Sequence, residues 1–356
     1  MDKIIEIIDS YLKDESKTYV VSLNEYKLLD FHSLGHIIYP YLDKENSPKE
    51  GVELSKKAYF KAYKLDQVQH KAFLDLIKVC EEKGYDCLPL KGTIMKSLYR
   101  DSFIRSMGDM DILFKEKDIN EVVDFLISKG FESEGECEHH IGVFKGPILF
   151  EIHRKVVPYI ESYDVDIIND TFSKAKLKEG YNHIYEMTKE DYFIFHIIHL
   201  NKHLKAGGTG FRSFLDIYIY LDKYQNLDME YINSELSKVD LACPLDLIIR
   251  FSKDLFDLKE LDEEEKELYN TVLTSGVYGT LEGAAKNEIK RSGGSKFKAS
   301  LRKIFPPSKH MKSAFPILQK HGYLLPFFYI YRILRALFTR PISAFRTIIF
   351  IAKSKK

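Results

Sequence analysis

The chain has no tryptophan, only four cysteines, no apolar run long enough to cross a bilayer, and no acidic residue from Arg291 to its end. Each absence excludes something. Cys80, Cys87, Cys137 and Cys243 form no C-x-x-C pair and no zinc-type spacing, which argues against a disulfide framework or a zinc module and for buried thiols in a reducing cytoplasm. The opening "MDKIIEIIDS" lacks the apolar stretch of a signal peptide. "YLLPFFYIY" and "TIIFIA" fall well short of the roughly 20 residues a spanning helix needs. No internal repeat or low-complexity segment is present, and 45% hydrophobic with 30% charged residues describe a globular chain whose 24 Phe and 23 Tyr supply bulk for a core. At 356 residues, two domains are the expectation.

The missing acids of the last segment matter more. Residues 291–356 carry 15 Lys or Arg, so the rest of this neutral chain bears a net −15. Such a tail expects an anionic partner: RNA, an anionic membrane surface reached by an amphipathic helix at 327–339, or the acidic body of the protein itself.

What is present reads as α+β. Helical spacing covers 3–13 and 24–42, and a long helix runs from Ser55 to Lys83 with Gly84 as its stop. "YDCLPLK" then reads as a strand, "GT" as a turn and "IMKSLYRD" as a helix. "MDILF" is a second strand, Asp118 caps a helix that Gly130 closes, and "HHIGVFKGPILFEIH" is a hairpin with Lys145-Gly146-Pro147 at its tip. From Thr188 onward the pattern is helical, with helices expected at 189–204, 211–224, 228–237, 243–257, 262–274 and 323–339. The expected units are 1–84, N-terminal helices packing on the catalytic part; 85–187, the α/β part; and 188–356, a mainly helical part with the basic tail.

The chemistry concentrates in "LPLKGTIMKSLYRDSFIRSMGDMDILF", residues 88–114. Alternate strand residues share a face, so Asp109 and Asp111 project together, and Glu151 on a neighbouring strand is placed to add a third carboxylate. Hard cations such as Mg²⁺ take such oxygen donors, in pairs at two-metal sites. The Lys91-Gly92-Thr93 turn offers backbone N–H groups, a hydroxyl and a charge to a phosphate at a helix start, with Gly92 permitting close approach. A phosphate cradle facing a divalent-cation site suits a nucleoside triphosphate with its Mg²⁺.

These residues resemble the bacterial family of uncharacterised nucleotidyltransferases within the polymerase-β-like superfamily. The resemblance rests on Lys91-Gly92, Tyr99, Arg105, Asp109 with Asp111, and Glu151 with His153, and continues into "HIIHLNKHL", "FRSFLDIYIYL", "VYG" at 277–279, "FPP" and "GYLLPFFYIYR". Gly92-Thr93 replaces the superfamily's common Gly-Ser, and Glu151 stands where many relatives have Asp. The resemblance implies a minimal nucleotidyltransferase fold, a small mixed sheet with flanking helices, followed by a mainly helical C-terminal domain. It implies a cytoplasmic, Mg²⁺-dependent enzyme that binds a nucleoside triphosphate such as ATP and transfers its monophosphate to an acceptor hydroxyl on a small molecule, protein or RNA. Asp109, Asp111 and Glu151 would hold two Mg²⁺ ions, and Lys91, Gly92, Thr93 and Arg105 would bind the phosphates. The competing readings are a nucleotide-binding regulatory module without chemistry and a toxin-like enzyme acting on RNA.

Three further features frame the site. His196, His199 and His203 occupy one helix face, as a metal site, as part of the cleft lining or as packing. Arg212 and Asp216, four apart, pair with one another, or Arg212 lines the same cleft as His153; "GGTG" at 207–210 is either a phosphate cradle or, with no strand before it, a helix-breaking loop. Of His139 and His140, strand alternation lets only one face inward.

Overall fold

The computed structural model describes residues 3–136, 139–156, 170–239, 241–276, 279–315 and 317–339. Cys137, part of the "VYG" stretch, and the tail beyond Thr339 lie outside these residues, as do residues 157–169 at the expected boundary between the α/β and helical parts.

Local signals explain the helices. Ser22 and Glu25 form a reciprocal capping box that opens the Leu23–Phe31 helix. The long helix spans Lys49–Lys83, six residues more than its apolar spacing marked, because Pro48 stands just outside it and fixes the entry geometry. It ends at Gly84, whose φ of 75° is the left-handed cap that glycine adopts most easily. Thr188 accepts the N–H of Asp191 to open the Lys189–Ala206 helix. Asp118 stands at the cap position of the Ile119–Ser128 helix, but its carboxylate accepts the N–H of Asp86 instead of capping.

Five strands make one mixed sheet: β1 (Cys87–Pro89), β2 (Met110–Phe114), β3 (Glu132–Glu136), β4 (His140–Lys145) and β5 (Ile148–His153), in the order β1-β2-β5-β4-β3. The hairpin β4–β5 turns at Gly146-Pro147 as its sequence predicts. β2 and β5 run parallel, and the remaining neighbours are antiparallel. β3, "ESEGE", was not marked by hydropathy because it is a charged edge strand with a register shift between Ser133 and Gly135. At the other edge, the N–H of Cys87 donates to the carbonyl of His183 at 2.9 Å and Ile184 bridges to Cys87, so residues 183–184 cover β1.

β2 is buried on both faces. Met110, Ile112 and Phe114 pack with Leu76, Ile77 and Cys80 of the long helix and with Val122 and Leu126. Leu113, with Leu88 and Leu90, joins a larger core that contains Ile4, Ile5 and Ile8 of the first helix together with Phe193, Phe195, Phe214 and Phe251. Cys80 and Cys87 are buried free thiols. Helices at Leu281–Arg291, Lys296–Ile304 and Ser308–Ala314, rich in Lys and poor in large apolar side chains, escaped the periodicity reading. Among the described residues no helix is long and apolar enough to cross a membrane.

Candidate active site

Register makes the site. In the parallel β2–β5 pair Asp111 stands opposite Glu151 and Leu113 opposite His153, so residues 40 apart in sequence become neighbours on one face. His153 Nε2 lies 2.9 Å from Asp111 Oδ1 and 3.1 Å from Glu151 Oε2, while its Nδ1 is 3.1 Å from the carbonyl oxygen of Lys155. All three neighbours are acceptors when the carboxylates are ionised, an arrangement that a proton on each ring nitrogen satisfies and that favours the imidazolium. Burial alone would lower its pKa; the hydrogen bonds to Asp111 and Glu151 outweigh that and raise it. Lys91 Nζ also donates to Asp111 Oδ1. Burial pushes Asp111 toward the neutral form, but the Lys91 charge and the His153 bond hold it well below the ordinary carboxylate range.

Asp109, one residue ahead of β2, behaves in the opposite way. Burial, then the charges of Asp111 and Glu151, raise its pKa. The ligand atoms of Asp111, Glu151 and His153 lie within 4.8 Å of one another; Asp109 is outside that tight group though inside its field.

The turn departs from expectation in two respects, the reason for Gly92 and the length of the helix it opens. Its positive φ falls on Lys91, with φ 44° and ψ −123°. A non-glycine residue held there stores strain of order 1–3 kcal/mol, and the surroundings fix it: Tyr192 Oη donates to the Lys91 carbonyl at 2.7 Å and the N–H of Leu90 donates to the Asp111 carbonyl at 2.9 Å. Gly92 is required by protein packing, since a Cβ there would sit 3.2 Å from Met107 Sδ and 3.4 Å from an Arg105 guanidinium nitrogen. The helix after it is a single turn, Gly92–Met95, continuing as a 3-10 turn, so its dipole is smaller than a full helix would give. Thr93 Oγ1 faces Met107 Sδ at 3.9 Å.

Arg105 is claimed by the protein. Its Nε lies 2.9 and 3.0 Å from the two Asp216 oxygens, Tyr99 Oη donates to Asp216 at 2.7 Å, and a second guanidinium nitrogen donates to the Ser106 carbonyl. Arg212 donates to that same carbonyl at 3.1 Å.

His196 is half-buried and stacks on Tyr192 at 6.1 Å; desolvation lowers its pKa to about 4. His199 and His203 have ring centroids 4.5 Å apart; desolvation, followed by the Lys91 charge for His199 and the Lys202 charge for His203, lowers both pKa values. Among the described residues the close metal-capable groups are Asp111–Glu151–His153 and His139–His140–His153, neither of which includes the helix histidines. His139 and His140 both approach His153, with centroids at 5.6 and 5.0 Å, because His139 precedes β4 and escapes its alternation.

A cavity of about 830 Å³ lies on the other side of β2, lined by Asp66, Phe73, Thr93, Met110, Tyr192 and Tyr220 among others. Size favours it as a binding space, but its lining holds none of Asp109, Asp111 or Glu151. Spacing could not have revealed Tyr192 and Asp216, which act on residues about a hundred positions away.

A mixed α+β protein that gathers carboxylates beside a lysine-bearing turn belongs to a recognisable class, and a comparison with protein families identifies it. Residues 24–257 match the model described as uncharacterised nucleotidyltransferase, and the chain belongs to that family. No curated protein matches the chain. Among solved structures, the antibiotic-resistance factor ANT(2'')-Ia is similar at 11% identity with a TM-score of 0.38, over 51% of this chain and 96% of that one.

Proposed function

We propose that the protein transfers a nucleoside monophosphate from a nucleoside triphosphate to an acceptor hydroxyl, with residues 85–187 as a minimal nucleotidyltransferase fold, residues 1–84 packed on it and residues 188–356 as a helical domain beside it. The observation that supports this best is the β2–β5 register, which sets Asp111 against Glu151, with Asp109 just ahead of β2 and within the field of both. The donors fit a divalent cation: three carboxylates crowd one another enough that Asp109 resists ionising. Asp109, Asp111 and Glu151 would hold two Mg²⁺ ions, which when bound supply charge neutralisation for the triphosphate and a lower pKa for the attacking hydroxyl.

The chain's own groups do the rest. The acceptor oxygen forms a bond to the α-phosphorus, the bond from that phosphorus to the β-phosphate bridge breaks, and pyrophosphate leaves. Glu151 either ligates the second ion, the hydroxyl proton then passing to solvent, or takes that proton itself. Lys91 offsets charge on the phosphates, and the His153 imidazolium keeps Asp111 and Glu151 in register. Arg105, anchored on Asp216, packs against Gly92 and supports the turn that carries Lys91. The acceptor is a small molecule, a protein or an RNA; the basic tail favours an anionic one.

Incubation with each labelled triphosphate, a cell extract and Mg²⁺ tests the reading. Asp109→Ala with Asp111→Ala should cut labelling roughly 10³-fold, the equivalent of about 4 kcal/mol of transition-state stabilisation. Equal labelling by the variant would end the proposal. One observation favours a silent nucleotide-binding module: Asp111 is already neutralised by Lys91 and His153. That reading expects triphosphate binding without any labelled product.

A further inference from the structure

The acids do not stand alone on their face of the sheet. β4 runs beside β5 and pairs His140 with His153, and His139 reaches the same corner from just ahead of the strand. The result is a cluster of imidazole nitrogens whose ligand atoms lie within 4.8 Å of one another, adjoining Glu151. We propose that His139, His140 and His153 bind one borderline transition ion of the Zn²⁺ type, with a water oxygen in its fourth position. The inference deepens the nucleotidyltransferase reading, on which it rests for the ion's role but not for its binding.

Three observations carry it. The first is spacing. At a metal–nitrogen distance of about 2.0–2.1 Å, tetrahedral ligands sit about 3.3 Å apart. His139 Nε2 and His140 Nδ1 are 3.2 Å apart, and the ligand atoms of the three histidines all lie within 4.8 Å of one another. The second is orientation. His153 donates its Nδ1–H to the Lys155 carbonyl, which turns Nε2 into the cluster, where a bound ion takes the place of the Nε2 proton; a ligating histidine is commonly fixed in this way. The third is donor type. Imidazole suits Zn²⁺, Co²⁺ and Ni²⁺, whereas Mg²⁺ takes oxygen almost exclusively, so three nitrogens select a different ion from the one the carboxylates alone would take. His139 and His140 are half-buried, so the corner remains reachable from solvent.

The test uses chelator-stripped full-length protein, without nucleotide, titrated with Co²⁺, Zn²⁺ or Mg²⁺ by calorimetry and visible absorption. The expected result is one Co²⁺ per chain with the absorption of a four-coordinate nitrogen–oxygen site, displaced by equimolar Zn²⁺ and retained in excess Mg²⁺. His139→Ala with His140→Ala should weaken Co²⁺ binding by more than about 10-fold, the loss typical of removing even a supporting group. Displacement by Mg²⁺, or undiminished binding in a folded double variant, would overturn the inference. A measurement on the unmutated protein guards against misfolding of that variant: the Co²⁺ form should show at least one paramagnetically shifted, exchangeable imidazole N–H resonance, and bound Co²⁺ without such a signal would also overturn it. Zn²⁺-type binding in a protein that labels no acceptor sinks the functional reading alone. Labelling without such binding sinks this inference alone.

Discussion

Asp111 and Asp216 are equally inaccessible, each 2% exposed, and each accepts hydrogen bonds from a cationic side chain, yet their surroundings differ. Asp216 meets Arg105 through both oxygens and Tyr99 through one, in a locally balanced pair. Asp111 meets Lys91 and His153, but Asp109 and Glu151 crowd the same face, leaving three carboxylates against two cations. A balanced buried pair serves architecture. A buried site with surplus negative charge, beside a strained turn, is prepared for a positively charged ligand.

The largest effect should come from the balanced pair. Asp216→Ala strands the Arg105 guanidinium and should cost about 3–5 kcal/mol in chemical denaturation, whereas Asp111→Asn, with the other acids still present, should cost clearly less. Equal losses would erase the distinction drawn here. The folded-state pKa of Asp216 is lowered, after burial is overcome, by Arg105 and His196. Its contribution is therefore present above the unfolded carboxyl pKa and fades as pH falls through the folded value. Next in size is Gly92→Ala, which must push the flexible Met107 side chain aside and should cost about 1 kcal/mol or slightly more. No loss there would mean that the turn is looser than its contacts imply.

The smallest effect has the most informative sign. Because the Asp109 pKa is raised in the folded state, ionisation at neutral pH works against folding. Asp109→Asn should stabilise the cation-free protein by roughly 0.2–1 kcal/mol, read as a rise in Tm at pH 7 that shrinks as pH falls into the carboxyl range. A divalent cation should raise the Tm of the unmutated protein more than that of the variant. A variant less stable than the unmutated chain would show that the surplus charge is not a strain.

Much of the architecture could be read from local pattern: the Gly84 stop, the Thr188 start, the Gly146-Pro147 hairpin and the long helix all follow from residues adjacent in sequence. β3 escaped because an edge strand of glutamates carries no hydropathy alternation. The turn was located correctly at 91–93 but its mechanics were not. Which residue takes the positive φ depends on Tyr192 and Met107, whose contacts with the turn are tertiary. His139 and His140 were assigned opposite faces on the premise that both lay in a strand, and the strand begins one residue later.

From the residue order alone came the acids, their two-residue spacing and the lysine turn, since strand period and turn chemistry are properties of neighbours along the chain. The parallel pairing of β2 with β5 set everything else: it decided that Glu151 faces Asp111, that His153 joins them as a cation, and that imidazoles crowd the same corner. Register between distant strands is fixed by how a whole core packs, and a shift of one residue would have sent those same side chains to the opposite face.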